Sequence, residues 1–274
     1  MTTRVHSRHR QQGFTLVELA LVMGIVALLL GGLMVPVARM LEQKANATTQ
    51  TSLEAAQQAL LGFALMKHRL PCPDIGSTGV EGTYDSLTNT CPTSPTTFSD
   101  TADASWGHLP WATLGVSGAD AWGNRLRYAV ATPLADTAGS TAGTTTSFRT
   151  SVTSTATNKL IVACTMVAGV TISGCGTSAV TPASNATFVV YSHGKNGRGA
   201  FLMGSSTAFT APTGNDELQN LPDSSSPGST TLSRRTFVSR SRTDETSTAG
   251  EFDDLVAWMP APVLAAKLLA AGLW

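Results

Sequence analysis

The hydrophobic pattern begins with a long apolar run close to the N-terminus. Residues 14–38 read FTLVELALVMGIVALLLGGLMVPVA, and Glu18 is the only ionisable side chain among them. The uncharged residues from Leu19 to Ala38 would extend about 30 Å as a helix, which matches the thickness of the hydrocarbon core of a bilayer. The pattern therefore predicts a transmembrane helix over 14–38, with a kink or a melted turn at Pro36.

The same helix is predicted to continue, with amphipathic character, over residues 39–70. One apolar stripe recurs at spacings of three and four residues, and its members are Leu53, Ala56, Leu60 and Ala64, broadened by Leu61 and Phe63. Pro71 and Pro73 should end the helix, because proline lacks the backbone donor and restricts the residue before it. We therefore expect one long helix whose second half lies on a globular head.

The head, residues 71–274, shows a pattern of short strands and turns. The candidate strands are Arg125–Ala131, Lys159–Val167, Thr187–Ser192, Ala200–Met203 and Thr236–Val238. Segments of about 136–157 and 205–231 are rich in Ser, Thr, Gly and Ala, so they are predicted to be exposed or flexible loops. The apolar tail, residues 263–274, is too short to span a bilayer and is predicted to be a packed or partner-facing helix. The predicted fold class is α+β, with a long N-terminal helix packed on an antiparallel sheet.

Charge is distributed unevenly along a chain that is neutral overall. The 274 residues include 18 basic and 18 acidic side chains, but residues 1–13 contain Arg4, Arg8 and Arg10 and no acid. The neutral total argues against nucleic acid as a partner held by bulk electrostatics. Basic residues ahead of an apolar helix place the N-terminus in the cytoplasm and the head outside. Residues 1–13 thus have the character of a leader peptide that is removed.

Glu18 is unexpected in either of two ordinary membrane segments. A secretory signal peptide has a shorter apolar region that ends at a small-residue cleavage site. A plain signal anchor gives no reason for a carboxylate, which costs roughly 2.5 kcal/mol or more when placed deep in lipid. Glu18 therefore requires a partner.

A short motif lies between the basic leader and the apolar helix and reads Gly13-Phe14-Thr15-Leu16-Val17-Glu18. It resembles the processing site of type IV prepilins and type II secretion pseudopilins. The resemblance implies a prepilin peptidase that cuts between Gly13 and Phe14 and methylates the new N-terminus. Gly13 suits such a cut, because a residue without a side chain lets a protease approach the backbone closely. The Phe14 amine of one subunit could then neutralise Glu18 of its neighbour.

The resemblance also implies partners, a location and a role. The partners are other pilins or pseudopilins in a helical filament and an inner-membrane assembly platform. The chain would cross the bacterial inner membrane once, with a periplasmic head, before it joins the filament. A membrane-anchored extracytoplasmic enzyme or binding module with a similar anchor is the alternative. No H-E-x-x-H or G-x-S-x-G motif is present, and no neighbouring residue gives His68, His108 or His193 a catalytic role, so the chain is not expected to be an enzyme.

The cysteines are Cys72, Cys91, Cys164 and Cys175. A location outside the cytoplasm favours disulfides, and four cysteines allow three pairings that a sequence does not distinguish. The local pairs 72–91 and 164–175 close the shortest loops and are preferred. A zinc site is disfavoured, because there is no C-x-x-C spacing.

Two further stretches resemble parts of major pseudopilins. Residues 120–128, with Asp120, the pair Trp122-Gly123 and Tyr128, resemble the D-x-W-G-x-x-x-x-Y segment that opens their β-region, and residues 191–200 resemble their glycine-rich hairpin. Those proteins bind calcium between such loops, and oxygen ligands suit Ca²⁺. The candidate ligands here are Asp120, Glu251, Asp253 and Asp254. The family's ligand spacing is not reproduced, so a solvated acidic turn is the favoured alternative.

Overall fold

The computed structural model describes residues 13–83, 91, 104–135, 145–153, 160–163, 165–166, 172–173, 182–221, 236–247 and 250–273. The chain divides into two compact units, Met1–Ala45 and Asn46–Trp274. The boundary lies within the first helix, α1 (Leu16–Lys67). The second unit therefore includes the last turns of α1 as well as the whole head.

The N-terminal unit is helical from Leu16 onwards. Its backbone is assigned to α1 without a break through Pro36, so the melted turn predicted there is absent. A proline removes one backbone hydrogen bond, and the helix continues on both sides of it.

The described residues of the second unit form short helices and eight strands. The helices are α2 (Trp111–Leu114), α3 (Thr132–Ala135), α4 (Thr145–Thr153), α5 (Asn215–Gln219) and α6 (Ala261–Ala270). The strands are β1 (Ala104–His108), β2 (Arg127–Ala131), β3 (Leu160–Ala163), β4 (Thr165–Met166), β5 (Ile172–Ser173), β6 (Ala183–Ser192), β7 (Thr236–Val238) and β8 (Leu255–Pro260). The architecture is α+β, as predicted.

The centre of the sheet is four antiparallel strands in the order β1-β2-β6-β8. Strand β6 is the longest, and β3 pairs with its first residues while β2 pairs with its last ones. Strand β7 then adds to β3 in the parallel direction. Strands β4 and β5 form a separate two-stranded ladder.

The predicted apolar stripe of α1 is confirmed. Its six members are buried in the second unit, and five of them share one hydrophobic core with sheet residues such as Tyr128 and Phe188. The helix ends at Lys67, three residues before the predicted end, because His68 adopts a left-handed conformation (φ 54°). Leu70 then donates its backbone N–H to the backbone oxygen of Leu134 (2.8 Å). This bond ties the segment after α1 to the residues that follow β2.

Several predicted elements differ from those of the structure. Helix α4 lies within the predicted loop 136–157 and buries Phe148 and Val152, and α5 lies within the predicted loop 205–231. Segment 200–203 forms only isolated bridges. Strands β1 and β8 were not predicted, whereas β7 has the predicted bounds.

One predicted disulfide is present. Cys72 and Cys91 are bonded, with Cα atoms 5.4 Å apart, and both are buried in the core. The bond ties the segment after α1 to the chain that precedes β1. Cys164 and Cys175 lie outside the described residues.

Candidate functional site

The residues before α1 are arranged as a helix cap. Thr15 Oγ1 accepts a hydrogen bond from Glu18 N (3.2 Å), and Thr15 O accepts one from Leu19 N (3.1 Å). A threonine followed three residues later by glutamate is the sequence of a capping box. A carboxylate in the first turn also interacts favourably with the positive end of the helix dipole. Glu18 thus stands in the first turn of the helix, one turn from Phe14.

The surface around Glu18 is apolar and exposed. Phe14 is 83% exposed, and the apolar side chains described between Leu16 and Leu30 are exposed as well. Within the part of the chain that the structure describes, the Glu18 carboxylate has no cationic partner. Apolar surface of this extent is covered in the working state of a protein, by lipid or by other protein surfaces.

Gly13 is not explained by packing. A Cβ atom at this position would meet nothing within 4 Å, so the fold itself does not require glycine there. Gly194 provides the contrast, because its φ is 64° and a Cβ would lie 2.3 Å from the backbone oxygen of Asp253. Packing therefore gives no reason for a glycine at position 13.

Among the described residues, no helix combines the length and the apolarity that a membrane crossing requires. The predicted transmembrane segment is thus an expectation from the sequence.

A second cluster of functional interest lies in the second unit. Glu217 of α5 meets Asp253 and Asp254, which directly precede β8, and one carboxylate oxygen of each lies within 4.8 Å of the others. All three residues are buried. Glu217 Oε1 accepts hydrogen bonds from the backbone N of Asp253 (2.8 Å) and from Asn196 Nδ2 (3.2 Å). This network fixes the three carboxylates close together.

Hydrogen bonds occupy some of the carboxylate oxygens of this cluster. Asp253 Oδ2 accepts from Asn196 N (2.8 Å), and Asp254 Oδ2 accepts from Asn220 Nδ2 (2.8 Å). His193 Nδ1 lies 3.6 Å from Asp254 Oδ1. Asp253 Oδ1 is buried and accepts no hydrogen bond from a nitrogen or hydroxyl donor among the described residues, and the neighbour that can donate to the Asp253 carboxylate is a protonated Glu217. An oxygen-only donor set of this kind fits a hard divalent cation such as Ca²⁺.

The crowding of these carboxylates changes their protonation. Burial and the nearby charge of Asp254 raise the pKa of Glu217 from 4.5 to about 8. Burial also raises the pKa of Asp253, and Asp254 contributes in the same direction. Glu217 therefore holds a proton at neutral pH, and a cation that binds there must displace it.

The four predicted metal ligands do not form one site. Asp253 and Asp254 join the cluster, but Asp120 stabilises the turn that leads into β2, where it accepts hydrogen bonds from Trp122 N (2.9 Å), Asn124 N (2.8 Å) and Ser192 Oγ (2.6 Å). The Trp-Gly stretch is thus a structural corner. Glu251 pairs instead with Arg198, 3.1 Å from its Nε.

Glu217 is the residue that the sequence did not reveal. It lies in a segment rich in small polar residues, with no motif around it, and 36 residues separate it from Asp253. Only the folded position of α5 brings the two together. The acidic pair in its first turn, Asp216 and Glu217, was the one local signal of a helix start.

Comparison with known proteins bears on the N-terminal site. A prokaryotic N-terminal methylation motif matches residues 8–34, and the match includes Gly13, Phe14 and Glu18. The chain carries a prepilin-type methylation motif, which is consistent with a type IV prepilin-like protein. No curated protein and no solved structure matches the chain.

Proposed function

We propose that this protein is a structural subunit of a filament built from pilin-like proteins, either a type II secretion pseudopilin or a minor type IV pilin. One observation supports the proposal: a methylation motif matches residues 8–34, and Gly13, Phe14 and Glu18 lie within that range at the start of an exposed apolar helix. The long helix and the antiparallel sheet are compatible with a pilin-like fold.

The first step in this proposal is processing. The basic leader remains in the cytoplasm while the apolar part of α1 enters the inner membrane with the head outside. A membrane peptidase hydrolyses the bond between Gly13 and Phe14, and the leader departs with the new carboxylate. The new amine at Phe14 is then methylated and remains basic.

The second step is assembly. Glu18 has no cationic partner within the described residues, and an isolated carboxylate in lipid is costly. The Phe14 amine of an adjacent subunit would neutralise that charge when the helices pack side by side. The charge pair would therefore direct each arriving subunit to one position along the growing filament.

The decisive experiment for processing is mass spectrometry of the N-terminus in cells that carry the peptidase. The expected chain begins at N-methylated Phe14. A Gly13→Val variant should retain its leader, whereas Gly24→Val, the matched control, should be cut normally, because a Cβ at either glycine meets nothing within 4 Å. An intact leader on the wild-type chain would contradict the proposal and favour an anchored enzyme or binding module.

Assembly is tested separately with Glu18→Gln. This variant should be processed and inserted normally, yet its recovery in purified filaments should fall by about tenfold or more, the loss expected for a buried charge pair. Glu245→Gln, a change of the same kind at an exposed carboxylate of the head, should leave recovery unchanged. Normal incorporation of Glu18→Gln would remove the charge-pair account while leaving the processing account intact.

The large second unit supports a minor or tip-proximal position, because a bulky head fits poorly in a tightly repeated shaft. The copy number of the chain in purified filaments tests this assignment. A low ratio to the main subunit is expected, and a filament composed mainly of this chain would contradict it.

A calcium ion at Glu217, Asp253 and Asp254 is a separate proposal about the head. It is supported by the proximity of three buried carboxylates and by Asp253 Oδ1, which accepts no hydrogen bond from a nitrogen or hydroxyl donor among the described residues. Added Ca²⁺ should raise the Tm of the full chain more than Mg²⁺ does, since Mg²⁺ gives up its water reluctantly. Glu217→Gln should abolish that rise and Glu245→Gln, at an exposed carboxylate, should preserve it. An equal rise in both variants, or none in the wild type, would contradict the site.

A further inference from the structure

A groove runs along the outer edge of strand β8. Its volume is about 400 Å³, and it lies between Leu255–Trp258 of β8 and a polar row on α1 formed by Gln50, Glu54 and Gln57. All of these residues belong to the second unit. Within the described part of the chain, β8 pairs only with β6, so its other edge borders the groove.

The register of the sheet shows which backbone groups of β8 face the groove. His108, Arg127, Tyr191 and Val256 lie opposite one another in successive strands. His108 exchanges two backbone hydrogen bonds with Asp74 (2.8 and 3.0 Å), so its N–H and C=O point away from β2. Antiparallel pairs alternate between hydrogen-bonded and non-hydrogen-bonded positions. His108 and Arg127 are therefore a non-hydrogen-bonded pair, Arg127 and Tyr191 are a hydrogen-bonded pair, and Tyr191 and Val256 are again a non-hydrogen-bonded pair. The N–H and C=O of Val256 thus point away from β6.

A contact two residues further along confirms this direction. Gln57 Nε2 donates a hydrogen bond to Trp258 O (2.9 Å), and in a strand the backbone groups of residues i and i+2 point the same way. Trp258 O thus faces the groove and is already capped by a side chain of α1. Among the described residues none caps Val256 in this way, so its outward donor and acceptor remain available at the centre of the edge.

Strand β8 lacks the features that usually protect an edge strand. Such edges are commonly blocked by lysine, proline or an inward-pointing charge, yet residues 255–259 read LVAWM and contain none of them. Pro260 stands only at the last position of the strand. Apart from the Gln57 contact at Trp258 O, the described residues leave this edge open to the groove, and an open sheet edge is the surface that strand addition uses.

The charge of the groove selects the kind of strand. Glu54 is exposed on the α1 side, and in the described part of the chain its carboxylate has no cationic partner. A segment added beside β8 would place side chains over α1 at every second position. A lysine or arginine at such a position would meet Glu54, and an acidic side chain would be repelled.

We infer that the outer edge of β8 is a docking site for an extended, basic peptide segment of a partner protein, which adds to the sheet through Val256 and presents a lysine or arginine to Glu54. This inference concerns the head alone and is independent of the processing at Gly13. Its failure would leave the proposed filament function untouched.

The test measures binding of fluorescent hexapeptides to the full-length chain in detergent by anisotropy. The probe alternates Thr and Val with one central Lys, and its two controls replace that Lys by Glu or methylate the backbone nitrogens of the probe. The Lys peptide should bind about tenfold more tightly than either control, in keeping with one ion pair or the loss of backbone hydrogen bonds.

Variants of the chain separate the backbone contribution from the charge. Val256→Pro removes the outward N–H while leaving the hydrogen bonds to β6, a position where an edge strand tolerates proline, and it should weaken binding about tenfold. Val256→Thr, which keeps the N–H, should bind as the wild type does. Gln57→Ala should bind more tightly, because it uncovers Trp258 O. Glu54→Lys should prefer the Glu peptide.

Each other outcome overturns the inference. No binding of the Lys peptide, or binding that Val256→Pro leaves unchanged, would show that the edge does not accept a strand. Equal affinity for the Lys and Glu peptides would show that the groove does not select a basic partner. Self-association of the chain that Val256→Pro abolishes would identify a second copy as the occupant. If Val256→Pro unfolds the head, the reversed preference of Glu54→Lys still decides the question.

Discussion

The two units of the chain differ in whether their carboxylates have partners within the chain. In the N-terminal unit, one carboxylate, Glu18, stands on an exposed apolar surface and has no cationic partner in the described residues. In the second unit, buried carboxylates such as Asp120 and Asp254 are each held by several hydrogen bonds or by a histidine. The partners of Asp120 and Asp254 thus lie within the chain, whereas our proposal gives Glu18 a partner in another subunit.

The apolar residues show the same contrast. Leu29 is 60% exposed and Leu60 is fully buried, although both lie on α1. Their chemistry is identical and only their surroundings differ. Apolar side chains of the first unit should therefore matter for insertion and assembly, while those of the second unit should matter for stability.

The largest expected effect tests this contrast directly. Leu60→Ala leaves a cavity in the core and should lower the free energy of unfolding of the head by about 2–5 kcal/mol. Leu29→Ala should lower it by less than about 0.5 kcal/mol. The measurement is urea unfolding of the full chain in detergent, followed by tryptophan fluorescence, since all five tryptophans lie in the second unit. Equal effects would mean that the two parts of α1 are not energetically distinct.

The disulfide is expected to come next in size. Cys72 and Cys91 are 19 residues apart, and a crosslink that closes such a loop restricts the unfolded chain by roughly 3 kcal/mol. The double variant Cys72→Ser/Cys91→Ser should lose about that much stability in the same assay. Its N-terminal processing should be unaffected, because the motif lies in the other unit. A loss of processing in this variant would contradict the separation of the two units.

The sequence predicted the parts of the molecule that depend on local information. The apolar stripe of α1 follows from its helical spacing, and the processing motif is contiguous, as a site read on the linear chain must be. Strand β7 follows from a short apolar run, Thr236–Val238. In each case the residues that decide the outcome are neighbours in the sequence.

The parts that the sequence did not predict depend on distant residues. Strand β1 reads ASWGH and shows no clear alternation, so its strand form comes from pairing with β2 and Asp74. Helix α4 is held by the burial of Phe148 and Val152, in a segment whose composition is that of a loop. Glu217 meets Asp253 only because α5 packs beside β7 and the start of β8.

The turn that Asp120 stabilises is expected to contribute less to the stability of the head than the disulfide does. Its carboxylate accepts hydrogen bonds from Trp122 N, Asn124 N and Ser192 Oγ, so Asp120→Ala leaves buried donors unpaired and should cost about 1–3 kcal/mol. Asp244→Ala is the control, because that carboxylate is exposed and its hydrogen bonds, such as those from Thr246, are open to solvent, so the change should cost less than about 0.5 kcal/mol. Equal losses of unfolding free energy in the two variants would show that burial does not determine how much these hydrogen bonds stabilise the head.

The smallest expected effect concerns a buried histidine of the head. Burial and the charges of Arg127 and Arg125, with a smaller contribution from His193, lower the pKa of His108 from 6.5 to about 2. The unfolded chain therefore takes up a proton at His108 below about pH 6.5, and the folded protein does not. Stability from this group is present above pH 6.5 and is lost as the pH falls. The raised pKa of Glu217 acts in the opposite direction, so the wild-type curve should be flatter than His108 alone would make it.

A difference measurement isolates the histidine from these opposing groups. The stability of His108→Gln relative to the wild type should rise by about 1 kcal/mol between pH 7 and pH 5.5, whatever the other titrating residues contribute. The assay contains EDTA, so that no cation at Glu217 enters the comparison. A difference that stays constant over this range would mean that His108 titrates alike in the folded and unfolded chains. In that case water must reach the imidazole in the folded head, and the sheet around His108 would be less tightly closed than its burial indicates.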